Sequence, residues 1–465
     1  MHTLILHGWS GSSSSFMKIK KLLISQKLGT VETILYVDYE SREDSVTFND
    51  IVDGLNDQLI KRAIISPTGK KKKEVNVIIH STGGLIIRHY IWRYYRDRLQ
   101  ECPIKRIVML APANFGSPLA HRGKSFFASL IKGRWKFGDL FEVGYKILNG
   151  LELASPYQWE LAHRDLFREK PYYNAKQIQL TILVGIEGYS GALRGLVNRP
   201  GSDGTVVIAG TSIDSAKLTL DFSKPRIRSS YTPYDWTCKN PPEEFGFAVL
   251  EGVNHTSIVQ EAGCAGSQTA SLILEALQTN RFPAFIKKLE TITKKSYAKA
   301  KKPIYQQILL HAIDDQDAPI FDFTVEFFIL KASRTTGHIV SQNSMTAKEE
   351  ELSDRVQDLL TEDFHTNSQN SSFRRFLIDL RKVQSLLKEA KKSLGTHITF
   401  TMRIYVPDID KGIRYNTENL QNIVLYHSKD PAPFSFFYEN TTTLVELKVD
   451  RQNTYVSIST SPSKH

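Results

Sequence analysis

Ten residues constrain this chain more than any other stretch. Positions 75–84 read Val-Asn-Val-Ile-Ile-His-Ser-Thr-Gly-Gly. The nearly continuous apolar run suits a strand covered on both faces. It stops at Ser81, and amphipathic helical sequence begins at once, over 84–99. A serine on so sharp a turn holds its Oγ above the end of the sheet, and the crowded backbone demands small neighbours. Gly83 meets that demand, whereas Ile79 stands where another glycine is usual. Alone, the motif also reads as a glycine-rich turn that starts a helix. The flanking strand and helix favour a nucleophile.

The surrounding pattern agrees with a parallel sheet. Strand-like runs fall at 3–7, 32–37, 75–80, 106–111, 179–184 and 246–251, with helical periodicity at 15–27, 47–65 and 84–99, which predicts βαβ units. The insertion at 118–176 is too long for an ordinary connection and reads as a lid. Near 279–302 the character changes. Lys-rich helical sequence at 285–302 leads to strand alternation at 321–330, 396–405, 423–427, 441–449 and 454–460, interrupted by charged helical stretches at 346–360 and 373–394. With 465 residues, 41% of them hydrophobic, two domains are expected: an α/β domain over 1–282 and a β-rich, sandwich-like domain over 283–465.

A nucleophilic serine needs a base, an orienting carboxylate and amides aimed at the oxyanion. His7-Gly8-Trp9 ends the first strand and can present the Trp9 amide, while the turn itself presents that of Thr82. A plain strand-to-helix loop is the alternative for the first of these. Asp203 lies in a Gly-Ser-Asp-Gly turn after the fifth strand, although Asp-Gly turns are common in their own right. His255 follows the sixth strand, on the carboxyl edge where open α/β sheets keep their sites. Asp235 and Glu187 are weaker candidates for the acid, and His80 for the base.

Taken together, the His7-Gly8-Trp9 turn, residues 79–84, Ala-Pro-Ala-Asn-Phe-Gly-Ser-Pro at 111–118, Asp203-Gly204 and Asn254-His255 resemble α/β-hydrolase lipases and esterases. The similarity is to bacterial triacylglycerol lipases and GPI inositol-deacylase-like proteins, and it covers about residues 1–280. It implies an α/β-hydrolase fold, Ser81 as nucleophile, Asp203 and His255 as its partners, and Trp9 and Thr82 as oxyanion donors. The second half resembles no family.

Charge and cysteine content narrow the remaining possibilities. The net charge of +11 is spread along the chain without a nucleic-acid-binding signature, so no nucleic-acid partner is expected. Cys102, Cys238 and Cys264 are odd in number and widely spaced, which argues against a disulfide framework or zinc site and for a reducing compartment. No metal or cofactor is expected. Neither a signal peptide nor an 18-residue apolar span is visible, so a cytoplasmic location, peripheral at membranes, is the expectation. Within 121–140, Arg122, Lys124, Lys132, Arg134 and Lys136 interleave with bulky apolar residues. That suits a lid packing on the sheet or touching an anionic membrane, with Trp135 and Phe137 as substrate-binding candidates. The expected activity is hydrolysis of carboxylic esters of lipids through an acyl-enzyme. A transacylase and a non-catalytic interaction protein are the alternatives, and a protein partner for the second domain stays unspecified.

Overall fold

Six strands form one parallel sheet: β1 (His2–His7), β2 (Thr30–Leu35), β3 (Val75–His80), β4 (Ile104–Leu110), β5 (Gln179–Gly185) and β6 (Gly246–Leu250). Their order is β2-β1-β3-β4-β5-β6. The computed structural model describes residues 2–7, 13–35, 45–120, 144–190, 197–223, 238–239, 244–332, 345–407, 413–416, 420, 423–428 and 436–453. Every side chain of β3 and β5 is buried, as expected of strands with helices on both faces. Leu6 pairs with Ile79, His80 with Leu110, Leu110 with Leu183, and Gly185 with Leu250. All six strands therefore end on one edge. The chain first steps from β1 to β2 and then back across to β3, so the strand order reverses beside β3 and opens a crevice there.

Helices α1 (Ser13–Ser25), α2 (Phe48–Lys61), α3 (Gly83–Tyr95), α4 (Tyr145–Leu151), α5 (Pro156–Asp165), α6 (Ser257–Ala262), α7 (Gln268–Gln278) and α8 (Phe282–Ala300) accompany the sheet. Right-handed crossovers place α1 and α3 on opposite faces, because β1 to β2 and β3 to β4 run in opposite directions. In keeping with that, α1 and α7 pack on α6, whereas α2 and α5 pack on α3. Local chemistry sets the helix starts. Thr47 and Asp50 form a reciprocal capping box before α2, and Ser155 caps α5 with Pro156 in its first turn. Helices α4 and α5 lie inside the 118–176 insertion; residues 121–143 of it are outside the described residues.

The chain divides into two compact units. One comprises 1–215, 240–307 and 439–442, and the other 216–239, 308–438 and 443–465. The second contains a three-stranded antiparallel sheet of Thr324–Lys331, Ile398–Tyr405 and Ile423–His427. A larger sheet runs in the order Phe364–Thr366, Phe373–Asp379, Tyr305–Asp314, Thr442–Val449, Ser215–Asp221 and Cys238–Lys239. Helices Ala347–Thr361 and Leu380–Leu394 pack with strands of both sheets around Phe327, Leu352, Val356, Phe376, Phe400 and Leu447. The single helix expected over 373–394 is corrected here. Phe373–Asp379 is a strand, and the helix starts only at Leu380. Asp379 Oδ1 accepts from the Arg381 and Lys382 amides, an N-cap that halts the strand and nucleates the helix. The strand expected at 454–460 lies outside the described residues.

Candidate active site

The turn after β3 is strained in a specific way. Ser81 has φ +54°, a left-handed conformation that costs a non-glycine residue about 1–3 kcal/mol. Three backbone hydrogen bonds hold it: Ser81 N donates to the Leu110 carbonyl, and the Ser81 carbonyl accepts from the Ala113 and Gly84 amides. A Cβ at residue 83 would stand 3.1 Å from Ile79 Cβ. Glycine at 83 thus makes room for the isoleucine that departs from the usual motif. A Cβ at residue 84 would lie 2.7 Å from both Asn114 Oδ1 and Pro112 Cβ, so the 111–118 loop requires that glycine.

Two further loops reach the same edge. Asn254 Oδ1 accepts from the Thr256 and Ser257 amides, an Asx turn that starts α6 directly behind His255. Gly185 lets that loop approach β5, because a side chain there would collide with the Val253 carbonyl. In the third loop, Asp203 Oδ1 accepts from the Thr205 and Val206 amides at 3.0 and 2.9 Å. The two loops are tied through the His255 amide, which donates to the Asp203 carbonyl at 3.1 Å.

The consequence is a continuous hydrogen-bonded relay. Ser81 Oγ donates to His255 Nε2 at 3.2 Å, and His255 Nδ1 donates to Asp203 Oδ2 at 3.0 Å. All three residues are at most 1% exposed. Thr82 is at the N-cap of α3, among the amides that lack an intrahelical acceptor. Trp9, Trp135, Phe137 and Asp235 lie outside the described residues. Glu187 is turned to another partner, Lys302 Nζ, at 2.7 Å. Among the described residues no group of three or more His, Cys, Asp or Glu is arranged to hold a metal, and no helix is long and apolar enough to cross a membrane.

This geometry is what an α/β-hydrolase places at the carboxyl edge of its sheet, and the comparisons agree. Residues 1–119 match the family described as "Putative serine esterase (DUF676)". The phospholipase PlaB from Legionella pneumophila superposes with a TM-score of 0.75 at 23% identity, over 100% of this chain and 97% of that one. The chain has an α/β-hydrolase fold. The same phospholipase in complex with thio-NAD gives the same values. No curated protein matches the sequence. Within this α/β-hydrolase fold, three further features support the relay. His80 supports the base loop, its Nε2 donating to the His255 carbonyl at 3.0 Å with the two rings 4.6 Å apart. Tyr189 Oη joins Thr205 Oγ1 at 2.9 Å and Thr256 Oγ1 at 3.1 Å, linking the acid and base loops. Its ring fills the space above Gly204, which has φ +98°. Finally, Arg88 of α3 and Asp165 of α5 form a fully buried bidentate pair at 2.7 and 2.9 Å, and Arg88 Nη1 also donates to the Asn114 carbonyl. Burial opposes the Arg88 charge, but the Asp165 carboxylate more than offsets it and holds the Arg88 pKa above its usual value. The adjacency of His80 to Ser81 was a usable signal. Nothing local marks Tyr189 or the ion pair.

Proposed function

We propose that this protein is a serine esterase that hydrolyses carboxylic esters of lipids by a two-step acyl-enzyme mechanism. The observation carrying this reading is the unbroken Ser81–His255–Asp203 relay at the end of a strained strand-to-helix turn. His255 Nε2 takes the Ser81 proton as Oγ attacks the ester carbonyl. Amides of Trp9 and Thr82 receive the oxyanion, each contributing about 10²–10³ in rate. The imidazolium, oriented by Asp203, returns the proton to the leaving alcohol; His255 then activates water against the acyl-enzyme. The fold needs no cofactor for any of these steps.

The lipid preference rests on the interleaved basic and apolar residues of 121–140 and on similarity to a phospholipase. In this reading, Trp135 and Phe137 receive the acyl chain and the lid opens at lipid. The catalytic work belongs to the unit of residues 1–215, 240–307 and 439–442, which holds the relay. Short- and long-chain p-nitrophenyl esters test the assignment. Ser81→Ala is expected to lose about 10⁶ in kcat and all fluorophosphonate labelling; wild-type-like turnover in that variant refutes it.

A further inference from the structure

Helix α1 leaves its outer face without a partner among the described residues. Phe16, Ile19, Leu22 and Leu23 face the core, as their three- and four-residue spacing dictates. On the opposite side Met17 and Ile24 are 44% and 52% exposed. They lie seven residues apart, hence on one line along a helix about 20 Å long. Large hydrophobic side chains are seldom left out in this chain: in the described part of the α/β-hydrolase unit, Tyr145 is the other one exposed. Lys20 flanks the ridge on one side, and Lys21 and Lys18 flank it on the other, with Lys27 just past the end. None of these lysines has a carboxylate partner among the described residues, and no acidic residue occurs before Glu32. On α6, which packs against α1, the single acid is Glu261, engaged by Thr269 Oγ1.

We propose that this face docks the protein on an anionic lipid surface. An apolar ridge with lysines on both flanks is the pattern of a helix lying in the plane of a membrane. Met17 and Ile24 enter the headgroup–acyl boundary while the lysine stems reach along the surface to lipid phosphates. Charge selects lipid over a second copy of this chain, because two such faces would bring eight lysines together. Placement also fits. Five residues separate the end of β1 from the start of α1, so the helix begins at the carboxyl edge of the sheet, where Ser81 also sits. The proposal rests on the lipid-ester reading for its purpose, but not for its test.

Sedimentation with vesicles of phosphatidylcholine, with and without phosphatidylglycerol, measures the docking, using Ser81→Ala protein so that the lipid stays intact. Binding is expected only when phosphatidylglycerol is present. Each lysine near the surface contributes about fivefold, so Lys18→Gln/Lys20→Gln/Lys21→Gln together should weaken binding about a hundredfold, and Met17→Ser/Ile24→Ser should weaken it at least tenfold. In a Ser81 background the same α1 substitutions should keep short-chain soluble ester hydrolysis and the melting temperature, and lose turnover of vesicle lipid. Unchanged vesicle binding by both variants overturns the proposal, as does equal binding to neutral vesicles or a change in oligomeric state in place of binding. Failure of Ser81→Ala to abolish soluble ester hydrolysis would sink the catalytic reading alone.

Discussion

Asp203 uses its two carboxylate oxygens for different ends. Oδ1 accepts from two backbone amides and shapes the turn; Oδ2 accepts the hydrogen bond from His255 Nδ1 and sets the imidazole tautomer. Asp203→Asn separates these roles, since the amide oxygen can still accept from Thr205 and Val206 while the new NH₂ confronts Nδ1. The variant should fold with a near-native melting temperature yet lose about 10⁴ in kcat, read on a soluble ester. A residual rate near wild type would show that the carboxylate is not needed to hold the ring. Another effect resides in a single side chain, His89. Burial pushes its pKa down to about 4, and Nδ1 accepts from Tyr157 Oη at 3.0 Å. Its unfolded value is near 6.5, so on unfolding in acid it gains a proton that the folded state refuses. The stabilisation is complete above about pH 6.5 and is lost as pH falls toward 4, by up to about 3 kcal/mol. Urea midpoints across that window should fall less steeply in His89→Asn.

Between elements, the geometry depends on how closely loops approach strands. Gly185 at the end of β5 leaves no room for a side chain against the Val253 carbonyl, and His255 is two residues beyond Val253. Gly185→Ala must push that loop outward. A displacement of about 1 Å costs about 10² in rate, so kcat on a soluble ester should fall at least that far while circular dichroism keeps the signature of the sheet and helices. The link made by Tyr189 is tested more gently. Tyr189→Phe keeps the ring over Gly204 but removes both threonine contacts. It should lower kcat several-fold with KM unchanged, and a shifted pH–rate profile would separate positioning of His255 from mere loss of stability.

At the scale of the whole chain, long-range charge pairing bears on folding as well as on the site. Arg88 and Asp165 join α3, α5 and the 111–118 loop in a dry interior. Asp165→Asn leaves a buried guanidinium uncompensated and should cost about 3–5 kcal/mol in urea unfolding, with much of that recovered in Arg88→Met/Asp165→Leu. A loss below about 1 kcal/mol would mean that water reaches the pair.

How much of this was legible in advance follows from the range of the forces involved. The strand ending at Ser81, the two glycines after it, the α/β alternation and the helix at 347–361 are local patterns of period, propensity and turn chemistry, so the residues themselves determined them. The strand order, with β1 set between β2 and β3, is not local. Neither is the meeting of His255 with Ser81 across 174 positions, nor the linkage through Tyr189, nor the burial of Arg88 against Asp165. Residues 373–379 show the boundary plainly: charged neighbours suggested a helix, and only pairing with adjacent strands, which buries Phe376, Leu377 and Ile378, selects the extended form. Short-range sterics and hydrogen bonds are written residue by residue. Which distant groups share a dry interior is decided by packing, and packing exists only once the chain has closed on itself.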